Sequence, residues 1–319
     1  QTIYIDPPFN TGEDFPYVDR FQDSSWLSLM NDRVALAKMF IYQKGLFFLH
    51  LDYNANYYGK ILLNNIFGEE HFKNEIIWNY KGTTNSNRFF APKHDTIFMY
   101  SKEENYVFNA DEVRIQYEDD EKFEQDEEGK YFQWWEKGKK YYPAQELREG
   151  KWVVLGKYQY DVWNDIPSMA TAHGKEDIKF KTQKKEKLLE RVIKVSSMKS
   201  TIVLDFFLGS GTTTAVAHKL GRKWIGVEMG EHFYTVVLPR MKRVLAYDKS
   251  GISKEVKEYQ GGGFFKYYEL EQYEDTLRKV KYEDSNLFDN PYQDPYNQYV
   301  FMRDLKMLEA LEIDYENNK

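Results

Sequence analysis

The apolar run Thr201-Ile202-Val203-Leu204 passes without interruption into Asp205-Phe206-Phe207-Leu208-Gly209-Ser210-Gly211-Thr212-Thr213. A short apolar run ending in a glycine turn, with a helical stretch behind it, reads as a strand buried on both faces that feeds a helix. The helix covers residues 212–220, Gly221 closes it, and residues 224–227 make the next strand. Strand alternating with helix predicts a parallel sheet whose ligand sites lie at the carboxyl ends of the strands.

The same rhythm runs through the first hundred residues. Residues 2–5 are strand-like and stop at Asp6-Pro7-Pro8, because proline cannot donate to a ladder. Over residues 25–43 the apolar positions Trp26, Leu29, Met30, Val34, Ala37 and Ile41 follow a helical period, with Ser24 or Ser25 as the N-cap and Gly45 beyond its end. Residues 46–49 read as a buried strand, 56–66 as a helix stopped near Gly68, and 75–78 and 96–100 as strands joined by a polar loop, 82–88. Between 103 and 178 the alternation dissolves into an acidic, aromatic stretch that includes Trp134, Trp135, Tyr141, Tyr142, Trp152, Tyr158, Tyr160 and Trp163, an insertion with its own small β-rich fold. The rhythm returns with a helix over 186–196. The expected organisation is therefore an α/β fold with a mostly parallel sheet and helices on both faces. It is split into halves 1–102 and 179–246 around the insertion 103–178, and followed by an extension 247–319. In that extension a strand at 264–268 follows Gly261-Gly262-Gly263, then a polar helix over 271–280, a Pro- and Asn-rich loop over 286–297 and an amphipathic helix over 299–311.

Composition narrows the chemistry. At 319 residues, 42% hydrophobic and 30% charged, the chain can bury the core of one large domain with additions. No apolar run approaches the roughly 20 residues that span a bilayer, so no membrane helix is expected. Gln1 opens directly into a strand with no charged and apolar leader, as if the sequence began inside a longer protein. With 0 cysteines there are no disulfides, thiolate metal sites or cysteine nucleophiles, a usage compatible with the cytoplasm. The 6 histidines have no metal-ligand spacing, so no metal is expected. The net charge of −7 argues weakly against a nucleic-acid partner, but it is uneven. Acids crowd into 103–128, bases into 175–199 and at Lys137, Lys139 and Lys140, and a duplex responds to the face it meets.

Two motifs carry chemistry. In the glycine turn, Thr214 stands where a dinucleotide fingerprint needs its third glycine, and no lysine follows as a phosphate loop requires. Glu228 closes the next strand at the separation from which an acid grips ribose hydroxyls. An adenosine ligand without a pyrophosphate fits all three facts, and S-adenosylmethionine is such a ligand. The second motif is Asp6-Pro7-Pro8-Phe9. A carboxylate, a fixed proline carbonyl and an aromatic ring form a receptor for a planar ring with an exocyclic amine, Asp6 and the Pro7 carbonyl accepting its two hydrogens and Phe9 stacking on its face.

The two motifs in this order resemble the permuted amino-methyltransferases, in which the catalytic motif precedes the cofactor motif. Further segments carry the likeness along the chain: 26–33, Ile66-Phe67-Gly68-Glu69, Thr182-Gln183-Lys184, Gly261-Gly262-Gly263-Phe264 and Tyr273-Glu274-Asp275-Thr276-Leu277. Together they resemble the Mod subunit of type III restriction–modification systems. One departure is Lys185, where such proteins usually carry proline. The resemblance implies a class I S-adenosylmethionine-dependent methyltransferase fold, Rossmann-like, with an inserted target-recognition region. It also implies methylation of adenine N6 in double-stranded DNA, a bacterial cytoplasmic setting, a homodimer and a possible Res partner. By the same analogy Thr182 and Lys184 approach the methionine carboxylate, and Asp205, Phe206, Phe207, Gly209, Ser210, Gly211, Thr212 and Glu228 complete the cofactor site. Base reading needs amide and cationic side chains. Thr83, Thr84, Asn85, Asn87 and Arg88 in the polar loop, and Lys137, Lys139 and Lys140 in the insertion, are the candidates. Rival readings are the same chemistry on cytosine N4, methylation of RNA or a protein amide, a non-catalytic DNA-recognition subunit, and, from cofactor geometry alone, an NAD oxidoreductase.

Overall fold

The computed structural model describes residues 1–9, 23–80, 87–115, 117, 123–135, 138–141, 145–169 and 175–270. The chain divides into two units, 1–263 and 264–319. In the first, β1 (Thr2–Ile5), α1 (Asp23–Phe40), β2 (Leu46–Leu51), α2 (Asn56–Phe67), β3 (Phe72–Asn79) and β4 (His94–Ser101) build one half. Then follow β5 (Glu124–Gln125), β6 (Tyr131–Trp135), β7 (Gly138–Tyr141), β8 (Gln145–Arg148), β9 (Lys151–Val154) and β10 (Val162–Trp163). The other half holds α3 (Glu186–Ser196), β11 (Ile202–Asp205), α4 (Thr212–Lys219), β12 (Lys223–Gly226) and α5 (Leu238–Leu245).

The main sheet has seven strands in the order β10-β3-β4-β2-β1-β11-β12. β4 runs against both neighbours and the other pairings are parallel, so the sheet is mostly parallel. Side chains alternate across it as a strand requires. Ile3, Ile5, Phe47, Leu49 and Leu51 pack against Trp26, Met30 and Val34 of α1 and Leu63 and Phe67 of α2. Tyr4, Leu46, Phe48 and Val203 face the other way, onto Leu188, Val192 and Ile193 of α3 and Val216 of α4. Helices on both faces explain why β1 and β2 show no polar alternation: neither face meets water.

Three expectations need correction, and one helix, α5, was not expected at all. α1 begins at Asp23, so Ser24 and Ser25 lie inside it rather than capping it. The segment 103–178 is not wholly a separate fold: β5–β7 and β8–β9 form two small sheets, but β10 returns to the main sheet beside β3. Trp163 and Ile166 are buried in the main core there. α5 went unread, because five residues of π-helix, Phe233–Val237, precede it and blur its period. Residues 264–270, expected to hold a strand, form no ladder. The helices and loop expected over 271–311 lie outside the described residues. No helix among the described residues is long and apolar enough to cross a membrane.

Candidate active site

β1 and β11 are adjacent and parallel, with Thr2 opposite Val203 and Ile3 opposite Leu204. The proline turn after Ile5 and the glycine turn after Asp205 therefore leave the same edge of the sheet side by side.

The glycine turn is held from three directions. Asp205, buried at the strand end, accepts the Phe207 N–H at 3.0 Å and the Thr213 hydroxyl at 2.6 Å. Burial pushes its carboxyl up to about 7, the nearby charges of Asp6 and Glu228 adding to the effect and those two hydrogen bonds opposing it. Glu228 accepts the Gly209 N–H at 2.7 Å and the Gly230 N–H at 2.8 Å, and its Oε2 lies 3.2 Å from His232 Nε2. From behind, the Arg240 guanidinium donates to the Ser210 carbonyl at 3.2 Å and to Thr212 Oγ1 at 2.9 Å. Arg240 and Lys219 both bind the buried Glu186 carboxylate, Arg240 at 3.0 Å and Lys219 at 3.0 and 2.9 Å. The buried cations therefore have an anion and hydrogen bonds to match their desolvation. Gly211 sits at φ 77° where the turn enters α4, a conformation that disfavours any Cβ. Ser210 and Thr212 share a contact of 3.0 Å, and the rings of Phe206 and Phe207 lie 5.4 Å apart.

These features suit a nucleoside. A Cβ built on Gly209 would have nothing nearer than 3.9 Å among the described residues, so the turn offers open backbone. A carboxylate has about four acceptor sites and Glu228 spends two on backbone, leaving capacity for ribose hydroxyls. The ring of His232 is buried, and neither of its nitrogens makes a hydrogen bond among the described residues.

The proline turn is anchored by Trp26, whose indole N–H donates to the Pro8 carbonyl at 2.7 Å. Lys184 reaches Asp6 with Nζ 2.9 and 2.7 Å from the two carboxylate oxygens, and lies 4.9 Å from the centre of the Phe9 ring. Thr182, half-buried, precedes it in the turn that leads to α3. Gln183 between them is fixed by bonds to the Glu176 carbonyl and the Ile178 N–H. Lys185 resolves its own departure from the family pattern: φ is −65°, the value a proline ring imposes, and its ammonium pairs with Glu176 at 2.8 Å.

Sequence reasoning missed the support beneath Phe9. His50 is buried in β2, with Nδ1 2.6 Å from the Tyr4 hydroxyl and Nε2 2.9 Å from Asp95. Its ring lies 6.0 Å from that of Phe9. Tyr80 donates to the other Asp95 oxygen at 3.0 Å. Burial raises the Asp95 carboxyl, but the bond and charge of His50, the charge of Lys184 and the Tyr80 bond together hold it below its usual range. Tyr4 and Asp95 thus engage both ring nitrogens of His50. Burial, then the charges of Asp6, Asp205 and Asp95, push the Tyr4 phenol well above its ordinary value. The available signal was a histidine inside an otherwise apolar strand.

Of the residues suggested for DNA, Asn87 and Arg88 are exposed, beside Phe89 and the fully exposed Phe90. That loop leaves the edge from which the proline turn also emerges, since β3 runs with β2 and β1. Lys139 and Lys140 are exposed on β7, Lys139 lying 4.4 Å from the Phe132 ring centre. Thr83, Thr84, Asn85 and Lys137 lie outside the described residues.

The DNA methylase family profile matches residues 1–238, and with them both turns. The chain belongs to the DNA methylase family. It is similar to the probable type III restriction-modification enzyme HindVI Mod subunit of Haemophilus influenzae, at 27% identity over 98% of this chain. It spans 56% of the length of that relative. It is also 24% identical to the DNA adenine methyltransferase YhdJ of Escherichia coli, over 86% of this chain and 87% of the relative. A solved PvuII DNA methyltransferase (cytosine-N4-specific) matches with a TM-score of 0.50 and 14% identity, covering 81% of this chain and 83% of that one, which is a likeness of fold.

Proposed function

We propose that this DNA methylase transfers a methyl group from S-adenosylmethionine to the N6 amine of an adenine flipped out of duplex DNA, as the modification subunit of a type III restriction–modification system. The juxtaposition of the Asp6 and Gly209 turns at neighbouring parallel strand ends carries the reading.

Bound cofactor supplies an electrophilic methyl on a cationic sulfur. Glu228 would hold its ribose, the 205–212 turn would lie against it with Phe206, Phe207, Ser210 and Thr212 as its walls, and Thr182 and Lys184 would meet its carboxylate. Asp6 and the Pro7 carbonyl accept the two amine hydrogens, Pro8 stiffens the turn, and Phe9 stacks on the base. Those hydrogen bonds favour a pyramidal nitrogen and stabilise the charge growing on it, so that positioning supplies much of the acceleration. Asp6 need not be a strong base beforehand, because the nitrogen becomes acidic only as the bond forms. Extruding the base costs a few kcal/mol, offset by stacking and edge hydrogen bonds in the pocket.

Arg88, Asn87, Lys139 and Lys140 face the duplex in this reading. A second copy of the chain and a restriction subunit are its protein partners. Met39 and Phe40 of α1 and Tyr57 and Ile61 of α2 are exposed apolar residues that a second copy would cover. The type III likeness rests on the Haemophilus relative.

Purified protein incubated with labelled cofactor and genomic DNA should yield N6-methyladenine, and sequencing the modified DNA should return one short motif. Asp6→Ala should abolish transfer while still binding cofactor. Full activity in that variant would remove Asp6 from the chemistry, and N4-methylcytosine as the product would move the reading to the other base.

A further inference from the structure

We infer that Lys184 serves two carboxylates in turn, closing the target-base site by holding Asp6 until a cofactor carboxylate draws its ammonium away. The inference rests on the proposal that the cofactor is S-adenosylmethionine.

Both oxygens of Asp6 are occupied by one ammonium, at 2.9 and 2.7 Å. The pair is largely withdrawn from solvent, with side-chain exposures of 11% for Lys184 and 18% for Asp6. The ammonium takes one acceptor site on each Asp6 oxygen and offers an amine no acceptor in return, so an adenine is kept out by the space the ammonium fills. Stacked rings sit with centroids about 4.5–7 Å apart. Nζ lies 4.9 Å from the centre of Phe9, at the depth a base stacked there would take. In this conformation the receptor for the base is filled by a side chain of the protein itself.

The root of Lys184 belongs to the other site. Its carbonyl accepts the Thr212 hydroxyl at 3.3 Å, at the first residue of α4. Thr212 is gripped in turn by Arg240. On either side, Gln183 and Lys185 are fastened to Glu176. The backbone of Lys184 is therefore fixed against the cofactor turn while its four-carbon stem can swing. A carboxylate arriving beside Thr212 offers the ammonium a second anion within reach of the same root. Moving to it frees Asp6 and clears the face of Phe9. Cofactor then binds before the base, and an extruded base does not meet an empty methyl site.

The exchange makes Asp6 and the cofactor carboxylate competitors for one cation, which calorimetry can read without DNA. S-adenosylhomocysteine carries the carboxylate and methylthioadenosine lacks it. Asp6→Asn removes the competing charge at nearly constant shape, and should tighten S-adenosylhomocysteine about two- to fivefold, the scale of a partly exposed ion pair. Methylthioadenosine should be unmoved by that change. Lys184→Met should weaken S-adenosylhomocysteine and erase the Asp6→Asn effect in the double variant. Wild-type protein that binds both nucleosides, with Asp6→Asn leaving S-adenosylhomocysteine unchanged or weaker, overturns the exchange alone. Wild-type protein that binds neither nucleoside overturns the cofactor reading and the exchange with it.

Discussion

Glu228 accepts the Gly209 N–H at 2.7 Å through one carboxylate oxygen and the Gly230 N–H at 2.8 Å through the other, so the acid beyond β12 fastens the turn beyond β11. Charge-assisted bonds to backbone amides are worth about 1.5–3 kcal/mol each. Glu228→Ala should weaken S-adenosylmethionine binding by about ten- to a hundredfold in calorimetry. Glu228→Gln should fall between, since the amide keeps one acceptor but turns a donor toward the other N–H. Unchanged affinity in Glu228→Ala would place the ribose elsewhere.

Asp205 should make stability depend on pH in an identifiable window. Burial first, then the charges of Asp6 and Glu228, push its carboxyl up to about 7 in the folded protein. In the unfolded chain it returns to about 4. Between these values the folded state keeps a proton that the unfolded state has lost, so stability falls as pH rises through about 4 to 7 and levels above that. Thermal midpoints measured from about pH 5 to 8 should decline over this range, and Asp205→Asn should show a smaller decline. An equal decline in the variant would assign the titration to another group.

The network below Phe9 should be costly to open. His50→Ala leaves the buried Asp95 without its main partner, and removing one member of a buried pair costs about 3–5 kcal/mol. Tyr4→Phe leaves one ring nitrogen unmet and should cost about 1–2 kcal/mol. Urea unfolding monitored by circular dichroism distinguishes the two, and a loss of under about 1 kcal/mol for His50→Ala would mean that water replaces it.

If the small sheet meets DNA, Lys139 and Lys140 each neutralise a phosphate. Replacing both by alanine should weaken duplex binding across all sequences and reduce the slope of log affinity against log salt by about two. An unchanged slope, measured by fluorescence anisotropy over a salt series, would turn that face of β7 away from the duplex.

Much of the site was legible because its chemistry is local. Asp6-Pro7-Pro8-Phe9 and the run from Asp205 to Thr212 are contiguous, and proline and glycine state their backbone requirements in any context. Lys185 shows how far that extends: the proline is missing, yet the backbone keeps the torsion it would have imposed. The support was not legible. Tyr4, His50 and Asp95 come from three strands, and Glu186, Lys219 and Arg240 from three helices, with no spacing to link them. Trp163 read as part of a separate insertion, because a two-residue strand has too little pattern to announce its place in a larger sheet.

Apolar period, turn chemistry and motif order were enough to fix the class of fold, since burying one face of a helix or both faces of a strand leaves a repeat along the chain. Partner strands leave no such repeat. That β1 lies against β11, some 200 residues away, follows only from packing both helical layers onto one sheet. This same closure lets a lysine rooted beside the glycine turn rest its charge on the aspartate of the other motif. Charge pairing across such a distance in sequence is decided by which surfaces exclude water together, and only the folded chain sets those.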